Sequence, residues 1–346
     1  MKKDYKVLYV ATSRETMGGI ASVLKRYETM PIWDKYSCAW LETQINKDIF
    51  QKLKYIVKAY LRMIFIVPRY NIVHFHTVPG RSVLVQLPVF LCALMWRRKI
   101  ITHLHVGDQL KHFKNDLLFK YVLHKSSCIL VLAKSINKML LKHYSIISDV
   151  VYNPIDIPYP YTYSVNHKTI FFAAYLTRNK GYETLIRAFS SVVQKHPDWK
   201  LVIAGAGEVE NARMLIKKYK IGGNTTVQAW CSREKMDELY AKTGIFCIAS
   251  ECEGLPMTFL ESASRGIPLI STPVGGILDF EDALKEYCLF EYGDYEMLAA
   301  RLNRLIESPD IRQKVSLTLR DFMQKYCSTN KVNDTLERIY NQIYQK

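Results

Sequence analysis

The sequence predicts an α/β protein of two domains, each built on an open parallel sheet. Three observations carry this. Short apolar runs of strand length alternate with helix-length segments along the whole chain. Several of these runs lead into glycine turns, at Gly18-Gly19, Gly205-Ala-Gly207 and Gly275-Gly276, and in open parallel sheets ligands sit at the carboxyl ends of strands. The alternation is interrupted at Asn153–Tyr161, where Pro154, Pro158 and Pro160 can continue neither a helix nor a central strand. That segment is the expected linker between domains at 1–160 and 161–324.

The first domain opens on a strand at 6–11, an apolar run too short for a secretory signal. At Gly18-Gly19 the absence of a Cβ lets the backbone approach a ligand closely. The segment Phe50–Tyr70 mixes Lys52, Lys54, Lys58, Arg62 and Arg69 with Tyr55, Tyr60, Ile64 and Phe65. It suits a membrane interface, and equally a helix packed on the core. Strands are expected at 71–75, 100–104, 128–132 and 150–152. Val83–Trp96 is apolar but shorter than the ~20 residues that span a bilayer, and reads as a buried helix.

The second domain restarts at Thr169–Ala173, with further strands near 200–204, 225–229, 244–249 and 268–271. Helices are expected at Tyr182–Val193 and at Met257–Arg265, the latter stopped by Gly266. The tail from Ile311 has helical spacing and should close the fold with two helices, the last (about 325–346) packing back on the first domain.

A chain of 346 residues, 49% hydrophobic and 23% charged, is long enough for two cores and too apolar for extended disorder. The net charge of +16 is unevenly placed: residues 1–160 hold 24 Lys and Arg against 10 Asp and Glu, whereas residues 161–346 hold 24 against 22. The basic first half suits an anionic partner, a membrane surface, a lipid-linked diphosphate or nucleic acid. Eight cysteines form neither a CxxC pair nor a zinc-spaced cluster, which fits a reduced cytoplasmic setting.

The most informative stretch is Glu253-Gly-Leu-Pro-Met-Thr-Phe-Leu-Glu261. It puts Glu253 in a strand-to-helix loop and Glu261 about one turn into the helix, at ~3.6 residues per turn. Gly254, Leu255, Pro256 and Met257 form the turn that opens that helix, and the backbone N–H groups of Gly254, Leu255 and Met257 there suit a diphosphate. Arg178-Asn-Lys180-Gly181 follows the first strand of the second domain, and two cations at that turn would neutralise a leaving diphosphate. The pairs His74, His76 and His103, His105 each share a strand face. No Cys or acidic ligand completes a metal site there, and His105, where its strand gives way to loop, is the candidate for a hydrogen-bonding role. The GxGxxG fingerprint is missing after Val10, which counts against a nicotinamide enzyme.

Together these residues resemble the family 4 retaining glycosyltransferases of the bacterial polysaccharide-biosynthesis type, most closely between Lys180 and Asp279. The resemblance implies the GT-B architecture, two Rossmann-like domains each with a parallel sheet, facing across a cleft. It implies that Glu261 binds the donor ribose, Glu253 orients the donor sugar, Lys180 binds the diphosphate, Gly19 approaches it from the other domain, and His105 contacts the transferred sugar. Gly18, Gly205, Gly207, Gly275 and Gly276 fall in its donor-binding loops. No metal or other cofactor is implied, the nucleotide-sugar being a co-substrate with UDP favoured over GDP. The acceptor implied is a lipid-diphosphate-linked glycan at the inner face of the bacterial cytoplasmic membrane, met by the basic first domain.

One position departs from the family pattern. Where a Gly-Arg-Leu sequence is usual this chain has Ala174-Tyr175-Leu176, so Tyr175 supplies no cation and Arg178 is the candidate substitute. Other readings stay open: a sugar-nucleotide epimerase on the same fold, a non-catalytic relative, or a basic nucleic-acid-binding protein, the last without a recognition helix or RNP-like motif.

Overall fold

The computed structural model describes residues 5–280 and 286–345. The chain divides into two compact units, one holding the residues up to Pro154 together with those from Tyr326 onward, the other Ile155–Lys325.

Unit 1 runs β1 (Val7–Thr12), α1 (Gly19–Tyr27), α2 (Pro31–Lys35), β2 (Ala39–Gln44), α3 (Ile49–Ile66), β3 (Ile72–Thr77), α4 (Arg81–Met95), β4 (Lys99–Leu104), α5 (Leu117–Lys125), β5 (Cys128–Val131), α6 (Lys134–Tyr144) and β6 (Asp149–Val150). The sheet order is β2-β1-β3-β4-β5-β6, and each neighbouring pair is parallel. Every residue of β1 and of β3 is buried. That is why β1 reads as an apolar run rather than an alternating one, whereas β3 buries His74 and His76 between its apolar residues. The order reverses between β1 and β3, and ligands of open parallel sheets sit beyond the carboxyl ends of strands at such a reversal.

The helix at 83–96 departs from the expectation of a buried one. Its inner side is core, at Val89, Phe90 and Ala93, but Leu84, Leu91 and Met95 on its outer side are exposed.

Unit 2 runs β7 (Thr169–Ala173), α7 (Tyr182–Lys195), β8 (Lys200–Ala204), α8 (Val209–Lys218), β9 (Thr225–Gln228), α9 (Arg233–Ala241), β10 (Ile245–Ile248), α10 (Met257–Ser264), β11 (Leu269–Ser271), α11 (Tyr295–Glu307) and α12 (Pro309–Phe322). Its sheet is also parallel, in the order β11-β10-β7-β8-β9. Here the reversal falls between β7 and β10, so the loops after these two strands frame the ligand position of this unit.

The last helix, α13 (Thr329–Gln345), lies in unit 1. Its Tyr340 hydroxyl is 2.7 Å from that of Tyr9 and 2.8 Å from Nδ1 of His74, and Asn333 Oδ1 accepts from the amide of Ile32 at 2.9 Å. These buried polar groups find partners inside the fold, as burial requires.

Candidate active site

In unit 2 the loops at the carboxyl ends of β7, β8, β10 and β11 are locked to one another through glycines. Gly275, at φ +49°, lies so close to the turn after β10 that a Cβ there would stand 2.1 Å from the carbonyl oxygen of Glu253 and 2.2 Å from that of Gly254. The Gly276 amide donates to the Gly254 oxygen at 2.6 Å. Gly181, at φ +72°, brings the β7 loop equally close to the Ala249 carbonyl, 2.0 Å from where a Cβ would sit. Gly205 and Gly207 lie against the carbonyls of Ala174 and Leu176, and the Leu176 amide donates to Ala206 at 2.7 Å. A side chain at any of these positions would wedge the loops apart.

The loops bring the charged groups together at the β7–β10 reversal. Lys180 Nζ donates to Glu253 Oε1 at 2.6 Å, with both side chains half-buried. Ser250 Oγ donates to the same oxygen at 2.8 Å, and Thr272 Oγ1 donates to the Ser250 carbonyl at 2.6 Å. Glu253 is therefore held by β7, β10 and β11 loops at once. Pro256 caps α10, which begins at Met257, so the opening turn of that helix follows directly from Glu253. Helix N-termini carry unpaired N–H groups and a positive end of the dipole. Leu255, between Glu253 and the start of α10, is buried.

Glu261 lies on α10, where its Oε2 accepts from the Tyr240 hydroxyl at 3.0 Å. Tyr240 is buried, and burial together with the Glu261 carboxylate raises its pKa well above the ordinary tyrosine value. The Tyr240 hydroxyl thus stays a donor that fixes the carboxylate. The Arg265 guanidinium lies 4.8 Å over the Tyr240 ring and donates to the Glu261 carbonyl at 2.8 Å. Arg178 is different: its side chain is 83% exposed, 3.7 Å from Glu183, while its backbone carbonyl accepts from Tyr292 at 3.1 Å. Tyr175 is exposed as well.

In unit 1, His105 follows β4, and its Nε2 is 2.7 Å from Nδ1 of His76. Because His76 registers with His103 across β3 and β4, the two His-x-His pairs share one sheet face and form a ladder of rings 4.6–4.8 Å apart between successive centroids. Burial pushes His74 and His105 down to about 3 from the ordinary 6.5, and His76 and His103 well below it. His105 is accordingly neutral near pH 7 and acts as a hydrogen-bonding group rather than a charge. The nitrogens of His74, His76 and His103 come within 4.8 Å of one another, but the rings lie tilted or stacked at 18–47°, an arrangement that stacks ring faces rather than aiming lone pairs at a common point. Gly18 and Gly19, at the start of α1, face open space. They border a cavity of about 360 Å³ at the β1–β3 reversal, which Lys52, Ile56, Arg81 and Val85 also line.

With this geometry in view, comparison with known proteins places the second unit. Residues 162–320 match the family model described as Glycosyl transferases group 1. The chain is similar to an uncharacterized glycosyltransferase of Haemophilus influenzae, 27% identical over 47% of this chain and 46% of that protein. It is also similar to the amylovoran biosynthesis glycosyltransferase AmsD of Erwinia amylovora, 30% identical over 40% of this chain and 38% of that protein. The matched region spans less than half the length of these curated relatives. The structure of Anabaena HepE in complex with UDP-glucose matches with a TM-score of 0.78 at 15% identity, covering 98% of this chain and 100% of that one. The fold is GT-B. The family match and the relatives support a group 1 glycosyltransferase.

Sequence reasoning had singled out Lys180, Glu253 and Glu261, and the fold brings the first two into contact. It missed Ser250 and Tyr240, which hold the two glutamates, and the cavity walled by Lys52 and Arg81. Tyr240 and the cavity walls act across boundaries that only the sheet order creates, whereas Ser250 stands three residues before Glu253 and meets it through the conformation of their shared loop.

Proposed function

We propose that this protein transfers a sugar from a nucleotide-sugar, UDP-linked in preference to GDP-linked, to a lipid-diphosphate-linked glycan, in the assembly of a capsule, exopolysaccharide or O-antigen. The observation that carries the reading is the Lys180–Glu253 pair at the β7–β10 reversal, immediately before the N-terminus of α10 and within the region that matches the family model. In this reading Lys180 and the N–H groups of Gly254, Leu255 and Met257 take the diphosphate, with Arg178 as the additional cation that Tyr175 does not provide. Glu253 accepts from donor-sugar hydroxyls, and Glu261, held by Tyr240, accepts from the ribose. The glycines 205, 207, 275 and 276 keep the loops at contact distance.

The chemistry follows from charge. As the glycosidic bond to phosphate breaks, negative charge grows on the leaving diphosphate, and fixed cations and N–H groups that meet it there stabilise the transition state more than the ground state. The acceptor hydroxyl attacks on the same face, its proton passing to the leaving phosphate oxygen, so the configuration is retained with neither a metal nor a dedicated protein base. We place the enzyme in the cytoplasm, peripheral at the inner face of the membrane. Among the described residues no helix is long and apolar enough to cross a membrane.

The test is to incubate the purified protein with a panel of UDP- and GDP-sugars and follow nucleotide release, with and without extracted membrane lipid. Release from one donor class, stimulated by lipid, is expected. Release of nucleotide from no donor would refute the reading, and interconversion of the donor sugar without transfer would replace it with an epimerase.

A further inference from the structure

We propose that the outer face of α3 and α4 is a docking surface for an anionic lipid bilayer. Helix α3 is amphipathic in an unusual sense, since the side it turns to solvent is both apolar and basic. Phe50, Leu53, Val57, Leu61 and Ile64 are all exposed and recur at intervals of three and four residues, so they form one stripe along the helix. Phe65 extends the stripe; it is 70% exposed and Phe50 is 80%. Lys54, Lys58 and Arg62, also exposed, each follow a stripe residue by one position and form a parallel basic row. Of all eighteen residues of α3, only Ala59 is buried.

Helix α4 continues the surface. It lies alongside α3, with the Tyr60 hydroxyl donating to the Val85 carbonyl at 3.0 Å. Its exposed side carries Leu84, Leu91 and Met95, the last 73% exposed, followed by Trp96. Exposed Arg81 and Arg97 stand at its two ends.

Charge decides the occupant. From Ile49 to Gly107 the sequence has no Asp or Glu at all, and nine Lys or Arg. A partner protein's interface core tends to be depleted of charge, and a second copy of this chain would set basic row against basic row. An anionic bilayer satisfies both stripes: the apolar row enters the acyl boundary and the basic row stays among the headgroups. Lys52 and Ile56 of α3, with Arg81 and Val85 of α4, also line the 360 Å³ cavity beside Gly18 and Gly19, so a lipid-borne acceptor would meet that cavity from the same helices that dock. The inference deepens the acceptor side of the proposed function and rests on that reading only for what the bound lipid is used for.

The test uses the full chain and vesicles of phosphatidylcholine, alone or in equal parts with phosphatidylglycerol, read by co-sedimentation. Strong binding only to the mixed vesicles, weakened by salt, is expected. The variant Lys54→Glu/Lys58→Glu should weaken it by at least about 30-fold, at roughly fivefold for each basic residue lost. The variant Leu53→Ser/Leu61→Ser should lose binding at low and high salt alike. All four positions are solvent-facing, so both variants should melt as wild type does and bind UDP-glucose as it does. Equal binding to both vesicle types, unchanged binding by both variants, or a dimer in solution that Leu61→Ser dissociates would overturn the proposal. Vesicle binding without sugar-nucleotide binding would leave the face standing and fail the proposed function; the reverse would fail the face alone.

Discussion

Gly275 is the position at which the geometry of the site can be broken with a single methyl group. Its alanine variant places a Cβ 2.1 Å from the Glu253 oxygen and 2.2 Å from the Gly254 oxygen, where real Cβ contacts essentially never fall below 3.0 Å, so these carbonyls must retreat by about 1 Å. The φ of +49° adds a left-handed conformation that costs an alanine about 1–2 kcal/mol. With local strain of about 1–3 kcal/mol, the total is roughly 2–5 kcal/mol, which in a unit of this size lowers the melting temperature by roughly 4–20 °C. The displaced backbone is that of Glu253 itself, and a misplacement of about 1 Å at a reacting centre costs about 100-fold in rate. The assay pairs a thermal melt with UDP release from UDP-glucose. Gly223→Ala is the control, because a Cβ there meets nothing and its φ is unexceptional. A Gly275→Ala protein that melts and turns over like the control would refute the claim that the β10 and β11 loops are locked by this contact.

Other predictions follow from the same geometry. Lys180→Ala should leave the melt near wild type and lower kcat by about two to three orders of magnitude, the usual loss when one fixed donor to a developing anion is removed; steady-state kinetics at saturating donor check it. Arg178→Ala should raise the apparent KM for donor if this exposed side chain supplies the cation that Tyr175 cannot, and wild-type kinetics would dismiss that compensation. The histidine ladder should make unit 1 acid-sensitive: folding keeps His74 near a pKa of about 3 against 6.5 when free. Its contribution is fully present above about pH 6.5 and is lost as the pH falls toward 3, since the unfolded chain takes up protons that the folded one refuses. By pH 5 each fully buried ring costs about 2 kcal/mol. Denaturant melts at pH 7 and pH 5 measure this, and equal midpoints would show that the ladder protonates without unfolding.

Much of unit 2 was legible in the sequence because its central strands are covered on both faces. Phe171, Ile203 and Phe246 sit in apolar runs on β7, β8 and β10, and Gly205, directly after β8, marks a loop. Unit 1 was harder. The edge strand β2 was missed because Glu42 and Gln44 interrupt its apolar character, as an outermost strand permits. Helix α4 reads as buried from composition, since hydropathy alone does not say that Leu84 and Met95 face outward. The histidine pairs were visible as pairs, but the four-ring ladder exists only because β3 and β4 are neighbours in a register that sets His76 beside His103. Tyr240 carries no signal, standing 21 positions before the Glu261 it holds.

Capture of a sugar-nucleotide by the loops after β7 and β10 is what calorimetry reads directly. Titration of UDP-glucose, with other UDP- and GDP-sugars in parallel, should give saturable binding to the wild-type chain. Glu261→Ala should weaken it about 10- to 100-fold, the worth of a hydrogen bond to a charged acceptor. Heat of binding for none of these donors, or an affinity that the Glu261→Ala change leaves untouched, would contradict it.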